Sequence, residues 1–465
     1  MVIYSELILL IERERILPSL NFNDEKLQKT TRILVYPNIT FQEDLEKDSY
    51  IQVIKKQIKL LNESRDDLWF YLVLTEPMES LQFENVTQFY IDLPTYPPTM
   101  RSHFDVGGMK KILSHDLDFD LVMSHLPEHT HALKNTMYNV THHTPKFFGY
   151  CHWFDVKPVV AWSKDSFLQN ITGLLEYDRC YLNTEHQKQL VMKQAGETFN
   201  AGIMKQLDDI LTPQHLGVDE TDVCGLSDIR QDREKIIVFN HRPDTYKHFE
   251  PFMKTMDALY KQRQDFKVWI PLLGKPNRDY VITDKFDKRG YYDFLKKCWV
   301  GFSPKQTYGG WSVATTDGMM NGVPYIMYDD TYYHELWPEA DWFKDHEPDT
   351  LQLLNRYLDN KQYRDDMGLK AVTHIADELV YKNEIHDMNV YINTLICKTK
   401  SMKFSKKLKE LINFIKTNGS VTKKEVMNYL GWGRGIKFTP YRRALMCHSN
   451  IYDVNNSQPK YVWKE

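Results

Sequence analysis

The sequence lacks any long hydrophobic run. Nowhere in its 465 residues does an apolar run approach the roughly 18 residues that a membrane-spanning helix requires. The apolar run Leu7–Ile11 is followed by alternating charged residues and by no small-residue cleavage site, so it predicts an amphipathic helix and not a signal peptide. These absences predict a cytoplasmic protein without a membrane partner.

Cysteine, glycine and proline are also scarce. The six cysteines lie far apart with no CxxC pair, which excludes a zinc ribbon and predicts reduced thiols. With only 20 glycines and 20 prolines, a collagen-like or low-complexity chain is excluded. The hydrophobic fraction of 42%, with 13% aromatic residues, indicates a globular protein, and the length suggests more than one domain.

Charge is unevenly distributed along the chain. Residues 401–465 contain 13 Lys and Arg against four Asp and Glu, although the whole chain has a net charge of −4. A basic segment on an acidic body predicts an anionic partner for that segment.

Apolar runs alternate with amphipathic segments, and the pattern occurs twice. The runs predict strands at 32–37, 69–74, 88–93, 119–123, 146–150 and 179–183, and again at 235–240, 266–271, 300–303 and 324–328. Segments with helical periodicity lie between them. Continuous apolar strands that alternate with helices are typical of parallel sheets covered on both faces.

This pattern predicts an α/β protein with two doubly wound, Rossmann-like domains. We place the first domain at 31–218 and the second at 235–398, joined by the polar linker 219–234. A helical extension is predicted at 1–30 and a small separate domain at 403–465. Ligands of such folds bind in the cleft at the carboxyl ends of the strands.

One segment of the second domain carries a specific motif. Residues 301–337 contain, in order, Ser303–Pro304, Gly310, Asp317, Gly322–Pro324 and Glu335. The order and spacing resemble the nucleotide-sugar segment of GT-B glycosyltransferases, especially the large family-4-type group. The resemblance implies a GT-B fold with two domains facing across a cleft, and it implies donor contacts from Gly310, Asp317 and Glu335.

Two cations strengthen the resemblance. Members of that group carry an Arg and a Lys five residues apart after the first strand of this domain, and Arg242 and Lys247 match them. Two cations at a strand end can neutralise a diphosphate. Taken alone, each of these two residues is better explained as an ordinary cation in a loop than as a diphosphate contact.

The sequence also departs from the family pattern. The first of two acidic residues in the family motif is replaced by Gly309, and the second is the shorter Asp317. In relatives the first acid contacts the sugar and the second holds the ribose. The glycine indicates a different donor sugar, such as a pentose, or a loss of activity.

The first domain supplies candidate catalytic residues. The segment 146–155 resembles the family strand that ends in a histidine, which implies that His152 lies in the cleft with Asp155 just beyond it. A carboxylate or imidazole there can take a proton from an acceptor hydroxyl. Glu128, after the preceding strand, is a third candidate. The histidine spacings match no metal-ligand signature, and GT-B enzymes need no metal to hold the donor phosphates.

The C-terminal segment predicts three short helices followed by a β-hairpin. Helical patterns cover 404–415, 421–430 and 439–447, and strands at 451–454 and 461–463 flank a turn. This order resembles a winged helix–turn–helix domain, whose third helix enters the major groove of DNA. The candidate DNA contacts are Lys423, Lys424, Arg434, Lys437, Arg442, Arg443 and Lys460. A winged helix that binds protein or dimerises is the alternative.

A nucleotide-sugar domain beside a winged helix indicates DNA as the acceptor. The combination resembles the T-even-type phage enzymes that glycosylate 5-hydroxymethylcytosine in DNA. It implies a UDP-sugar as co-substrate, double-stranded DNA as partner, no tightly bound cofactor, and a base that leaves the stack to reach the cleft. The donor sugar would be glucose or a pentose such as arabinose. The alternatives are a glycan glycosyltransferase with a tail for assembly, and a non-catalytic DNA-bound sugar-nucleotide sensor.

Overall fold

The computed structural model describes most of the two predicted α/β domains and part of the C-terminal segment. The described residues are 31–39, 45, 48–92, 103–114, 119–141, 144–152, 154–156, 164–225, 233–276, 278–307, 310–400, 406–429, 451–453 and 460–463. The predicted extension at 1–30 lies outside the described residues. Within these ranges no helix is both long and apolar enough to cross a membrane.

The first sheet has seven parallel strands in the order β3-β2-β1-β4-β5-β6-β7. The strands are β1 (Thr31–Tyr36), β2 (Leu68–Leu74), β3 (Val86–Tyr90), β4 (Leu121–Ser124), β5 (Lys146–Cys151), β6 (Arg179–Leu182) and β7 (Leu211–Pro213). Nearly every residue of β1, β2, β4 and β5 is buried because helices cover both faces. The strand order reverses between β1 and β4, which is where doubly wound folds bind ligands.

The helices of the first domain follow the strands as crossover connections. They are α1 (Ser49–Ser64), α2 (Val106–Ser114), α3 (Thr130–Thr141), α4 (Lys164–Leu174), α5 (Glu185–Ala195) and α6 (Ala201–Ile210). Local capping explains where two of them begin. Asp48 Oδ1 accepts the backbone N–H of Tyr50 at 2.9 Å, and Thr184 Oγ1 accepts that of Gln187 at 3.0 Å.

The second sheet has six parallel strands in the order β10-β9-β8-β11-β12-β13. The strands are β8 (Ile236–Val238), β9 (Lys267–Trp269), β10 (Val281–Ile282), β11 (Val300–Ser303), β12 (Tyr325–Tyr328) and β13 (Asp341–Phe343). The helices are α7 (Phe249–Gln262), α8 (Lys288–Leu295), α9 (Val313–Met320), α10 (Thr331–Leu336), α11 (Glu347–Asp359) and α12 (Lys361–Glu378). The strand order reverses between β8 and β11, so the second domain repeats the plan of the first.

Helix α9 lies against β11 and β12 because two glycines leave room for one tyrosine ring. A Cβ added to Gly318 would lie 2.2 Å from the Tyr325 hydroxyl oxygen, and one added to Gly301 would lie 2.3 Å from the same ring. The ring is fully buried between them. This close approach fixes the position of Asp317, the neighbour of Gly318 on α9.

The last long helix crosses back to the first domain. Helix α13 (Tyr381–Lys400) buries Tyr381, Ile385, Met388 and Ile392 in the hydrophobic core of the first domain. The predicted second domain, 235–398, included this helix. Periodicity predicts an apolar stripe on a helix, but it does not indicate which core the stripe packs against.

The C-terminal segment contains helix α14 (Lys406–Asn418), strand β14 (Ser420–Thr422), helix α15 (Lys423–Tyr429) and strands β15 (Ile451–Asp453) and β16 (Lys460–Trp463). Strands β15 and β16 pair in antiparallel fashion, as a hairpin requires, and β14 pairs with β16 on the other side. The predicted third helix at 439–447 lies outside the described residues, so the winged helix stays a prediction.

Candidate functional site

A pocket of about 460 Å³ opens at the carboxyl edge of the second sheet. We call it the edge pocket. Its lining comes from the segments after β8 and β9 and from helices α8 and α9: Asn240, Pro271, Leu272, Lys285, Phe286, Asp287, Lys288, Tyr291, Val313, Ala314 and Asp317. Leu272 and Phe286, both of which are exposed, contribute apolar surface to the pocket.

Hydrogen bonds through Asn240 hold the polar wall of this pocket. The Asn240 amide donates to the hydroxyl of Tyr291 at 2.8 Å and to the carbonyl of Ala314 at 2.6 Å. Its Oδ1 accepts the hydroxyl of Tyr325 at 3.1 Å. Tyr291 in turn donates to Asp317 Oδ2 at 3.4 Å. The position of the Asp317 carboxyl is therefore set by contacts with β8, α8 and α9.

Asp317 is the predicted site residue most clearly placed in the pocket. Burial raises the pKa of its carboxyl to about 7, against the opposing influence of Lys56 and of the Tyr291 hydrogen bond. Its ionisation therefore changes near neutral pH. As a carboxylate it can accept two hydrogen bonds from neighbouring hydroxyl groups.

The predicted pair of cations lies just after β8. Arg242 is exposed, whereas Lys247 is half-buried and donates from Nζ to Gln306 Oε1. Burial, together with the charge of Arg242, lowers the pKa of Lys247 to about 8. The charge of Arg242 disfavours the charged form of Lys247, and a bound anion would relieve this repulsion.

His241 adds a buried polar group beside this pair. It is 3% exposed, and its Nε2 has no hydrogen-bond partner among the described residues. Burial, and secondarily the charge of Lys247, lowers the pKa of its imidazole well below the usual range. The neutral ring can offer one nitrogen to a ligand at the end of β8.

Glu335 does not line the edge pocket. It lies on α10, where its carboxylate accepts the backbone N–H groups of Glu185 and His186, each at 2.7 Å. These amides belong to the first turn of α5 in the other domain. The structure therefore gives Glu335 a contact between domains, and the donor contact expected for it stays a prediction. Gly310 precedes Trp311 at the start of the segment that leads into α9, and Gly309 lies outside the described residues.

The three predicted catalytic residues follow neighbouring strands of the first sheet. His152 comes directly after β5, and its ring meets Tyr50 and Tyr150 edge-on, at centroid distances of 4.3 and 4.9 Å. Burial lowers the pKa of its imidazole to about 3, so the ring is neutral at physiological pH. Its Nε2 is buried without a partner among the described residues.

Asp155 and Glu128 occupy the same edge of the first sheet. Asp155 is buried, and its backbone N–H donates to Asn170 Oδ1 at 3.0 Å. Glu128 lies in a short 3₁₀ turn, Pro127–His129, which follows β4. Strands β4 and β5 are adjacent and parallel, so the residues that follow them emerge at one end of the sheet.

The predicted DNA contacts are only partly within the described residues. Lys423 and Lys424 open helix α15, and Lys460 opens strand β16. The other candidates, Arg434, Lys437, Arg442 and Arg443, lie outside the described residues.

Sequence reasoning missed several residues near the site, among them His241 and the following three. Asn240 and Tyr291 hold the pocket wall, and Lys56 of α1 interacts electrostatically with Asp317 from the first domain. Burial lowers the pKa of Lys56, while Asp219, Asp222 and Asp317 oppose that effect. Asn240 could have been found from its place two residues after strand β8 and two before Arg242. Lys56 and Tyr291 carry no such local signal.

Known structures resemble this chain in fold. HepE of Anabaena, solved in complex with UDP-glucose, is 11% identical and superposes with a TM-score of 0.55, over 78% of this chain and 99% of that chain. The lipopolysaccharide outer core galactosyltransferase WaaB is 12% identical, with a TM-score of 0.53 over 78% of this chain and 100% of that chain. The chain has the GT-B fold. The predicted fold class of two Rossmann-like domains is thereby confirmed.

The remaining comparisons add less. TarM is 15% identical, with a TM-score of 0.49 over 62% of this chain, and the chain spans only 58% of the length of TarM. A scan against protein-family models finds no match, and a search of curated proteins finds none. In the ranges that the structure describes, no group of three or more His, Cys, Asp or Glu side chains could hold a metal ion.

Proposed function

We propose that this protein is a glycosyltransferase that binds a UDP-sugar in the edge pocket. The observation that carries the proposal is the placement of Asp317 in this pocket, with Arg242 and Lys247 following the adjacent strand β8. HepE, which shares the fold, was solved with UDP and with UDP-glucose. A nucleoside diphosphate fits the chemistry of the pocket and its cations.

Each part of the donor has a partner in this arrangement. The apolar surface of Leu272 and Phe286 suits the flat face of uracil, and the Asp317 carboxylate suits the ribose hydroxyls. Arg242 and Lys247 suit the diphosphate, whose negative charge grows as the bond to the sugar breaks. These two cations would stabilise the leaving UDP without a metal ion.

The acceptor reacts from the first domain. The acceptor hydroxyl attacks the anomeric carbon, the bond from that carbon to the UDP oxygen breaks, and the hydroxyl proton passes to a base or to the departing diphosphate. His152, Asp155 and Glu128 are the candidate bases. With its pKa lowered to about 3, His152 suits orienting the hydroxyl better than holding its proton, because it is a weak base.

The role of His152 is tested by a pair of alanine variants. We expect His152→Ala to lower kcat by about 10²-fold or more with little change in UDP affinity. His131→Ala, an exposed histidine of α3, is the matched control and should behave like wild type. If His152→Ala turns over normally, Asp155 and Glu128 become the next candidates.

The finer proposal is that the acceptor is the hydroxymethyl group of a modified base in double-stranded DNA. It is supported by the excess of positive charge in residues 401–465, where Lys423 and Lys424 open a helix next to an antiparallel sheet. The donor sugar is glucose, as is usual in the family, or a pentose such as arabinose, which the absence of a side chain at Gly309 favours.

One experiment tests both levels of the proposal. The purified chain is incubated with a panel of UDP-sugars, with and without hydroxymethylated duplex DNA, and the nucleosides are analysed by mass spectrometry. A glycosylated nucleoside supports the whole proposal. Release of UDP without a modified nucleoside supports a glycosyltransferase with another acceptor, such as a glycan. If no UDP-sugar is consumed, the enzyme assignment is wrong and a sugar-nucleotide sensor becomes the better account.

A further inference from the structure

We infer that Glu335 and His215 are positioning residues, which hold the acceptor edge of the first domain in a fixed relation to the donor segment of the second. The effect on kcat that follows from this inference rests on the proposed function. We call His215, Glu335 and Glu384 the junction cluster.

Glu335 is docked on the amino terminus of α5. Its two carboxylate oxygens take separate partners, Oε2 from the N–H of Glu185 and Oε1 from the N–H of His186. The first N–H groups of a helix have no partner within it, and the helix dipole favours an anion there. Thr184 already accepts the next N–H of the same turn, that of Gln187. The carboxylate of Glu335 therefore completes the cap of a helix in the opposite domain.

The same turn of α5 holds His152. Gln187 Nε2 donates to the backbone carbonyl of His152 at 2.9 Å, and Asn183 Nδ2 donates to it at 3.3 Å. Gln187 Oε1 is fixed in turn by the backbone N–H of Asn183 at 3.1 Å. A displacement of α5 would therefore be transmitted to the backbone of His152. Glu335 thus acts on His152 through α5 and without touching it.

His215 lies between two carboxylates from different elements. Its Nε2 is 3.7 Å from Oε2 of Glu335 on α10, and its Nδ1 is 3.4 Å from Oε1 of Glu384 on α13. Its backbone N–H also donates to Glu384 Oε2 at 3.1 Å. Although burial alone would lower the pKa of His215, the neighbouring carboxylates of Glu335 and Glu384 raise it to about 9. The ring is therefore a cation at physiological pH.

The cationic ring of His215 also contacts the donor segment. It stacks on Trp311 with a centroid distance of 4.9 Å and an angle of 21° between the planes. Trp311 is nearly buried and lies between Gly310 and Ser312, the residue that caps α9. Because α9 carries Asp317, His215 connects the junction cluster to the edge pocket. Glu335 connects the same cluster to His152 through α5.

The decisive variant is Glu335→Gln. A glutamine offers one acceptor oxygen, so its amide N–H₂ would face one of the two N–H groups that Glu335 now accepts. We expect the affinity for UDP to change less than about two-fold, because Glu335 does not line the edge pocket. We expect kcat for UDP-glucose consumption to fall by about ten-fold to 100-fold, as for other losses of orientation. Glu339→Gln, an exposed glutamate four residues further on, is the matched control.

A second readout does not depend on activity. In Glu335→Gln, hydrogen exchange should accelerate at the amides of residues 185 and 186, while the amides of residues 191–195 at the other end of α5 keep their protection. His215→Asn should lower kcat in the same direction, and His215→Arg should restore part of it, because a planar guanidinium can stack on Trp311 and pair with both carboxylates.

The outcomes separate the two claims. If wild type binds UDP and turns over, but Glu335→Gln keeps both its kcat and its amide protection, the positioning role is wrong and the proposed function stands. If wild type neither binds UDP nor turns over, the proposed function fails. Amide exchange then still decides whether Glu335 is docked on α5.

Discussion

At the scale of single residues, the proposed donor site combines two ionisable groups whose pKa values are shifted toward each other: Asp317 in the edge pocket and Lys247 in the segment after β8. Burial raises the pKa of Asp317 to about 7 and lowers that of Lys247 to about 8. Above about pH 7 Asp317 is a carboxylate, and below about pH 8 Lys247 is a cation. Only between these two pH values is Asp317 a carboxylate that can accept the ribose hydroxyls while Lys247 is a cation that can pair with the diphosphate.

We therefore predict that the affinity for UDP is highest between about pH 7 and about pH 8. Calorimetric titrations from about pH 6 to about pH 10 measure it. Uridine has no diphosphate, so deprotonation of Lys247 at high pH should leave its affinity unchanged. Protonation of Asp317 at low pH should still weaken its binding. Asp317→Asn should remove the acid-side loss for uridine. An affinity for UDP that is constant over this range would contradict the assignment of both residues.

Spacing along the sequence predicted where some candidate residues lie in the fold, but it did not predict the contacts of Glu335. Arg242, Lys247 and Asp317 follow or flank a recognisable strand or helix, so their place at the sheet edge could be predicted. Glu335 lies on a six-residue helix, and a spacing does not determine which way a side chain on so short an element points. Lys56 acts on Asp317 from α1 and His215 stacks on Trp311 from the segment after β7, and only the tertiary structure brings these residues together.

At the scale of secondary-structure elements, the long buried strands and the amphipathic helices were predictable, and the short elements were not. β1, β2 and β5 are continuous apolar runs, so their positions follow directly from the sequence. α10 and β13 have six and three residues, which is too short for a periodicity to be recognised. The apolar stripe of α13 was predictable, whereas its packing on the first domain was not.

The packing of α9 leads to a prediction about Gly318. Gly318→Ala should destabilise the fold by about 1–3 kcal/mol, because the new Cβ would overlap the ring of Tyr325. It should also weaken UDP binding, since Asp317 is the adjacent residue. Gly107→Ala is the matched control, as Gly107 is an exposed helical glycine whose added Cβ would have its nearest contact at 3.4 Å.

Urea denaturation of the two variants decides the question. The control should be neutral or more stable than wild type by about 0.5–1 kcal/mol, the usual gain of alanine over glycine in a helix. Equal free energies of unfolding for both variants would show that there is room for a Cβ between α9 and the ring of Tyr325.

At the scale of the whole molecule, α13 decides where the chain can be divided. This helix belongs to the core of the first domain although it follows the second in the sequence. A truncation after residue 400 keeps it, whereas a truncation after residue 379 removes it and exposes the apolar surface that it covers. The basic C-terminal segment then lies beyond a complete GT-B unit.

We predict that residues 1–400 fold and bind UDP like the full chain, and that they lose most of the affinity for duplex DNA. The full chain should bind DNA with a steep dependence on salt concentration, because its basic residues replace counterions at the phosphates. Fluorescence anisotropy at several salt concentrations measures this difference. Equal DNA binding by both forms would remove the DNA-anchoring role of residues 401–465.

The most direct test of the central claim is isothermal titration calorimetry of UDP with wild type, Arg242→Ala, Lys247→Ala and the control Lys254→Ala, an exposed lysine of α7. A charge-assisted contact to the diphosphate contributes about 1.5–3 kcal/mol, so each of the first two variants should bind UDP about ten-fold more weakly or worse. The control should match wild type. Tight UDP binding that survives both substitutions would contradict the placement of the donor site, and no UDP binding by wild type would contradict the proposed function itself.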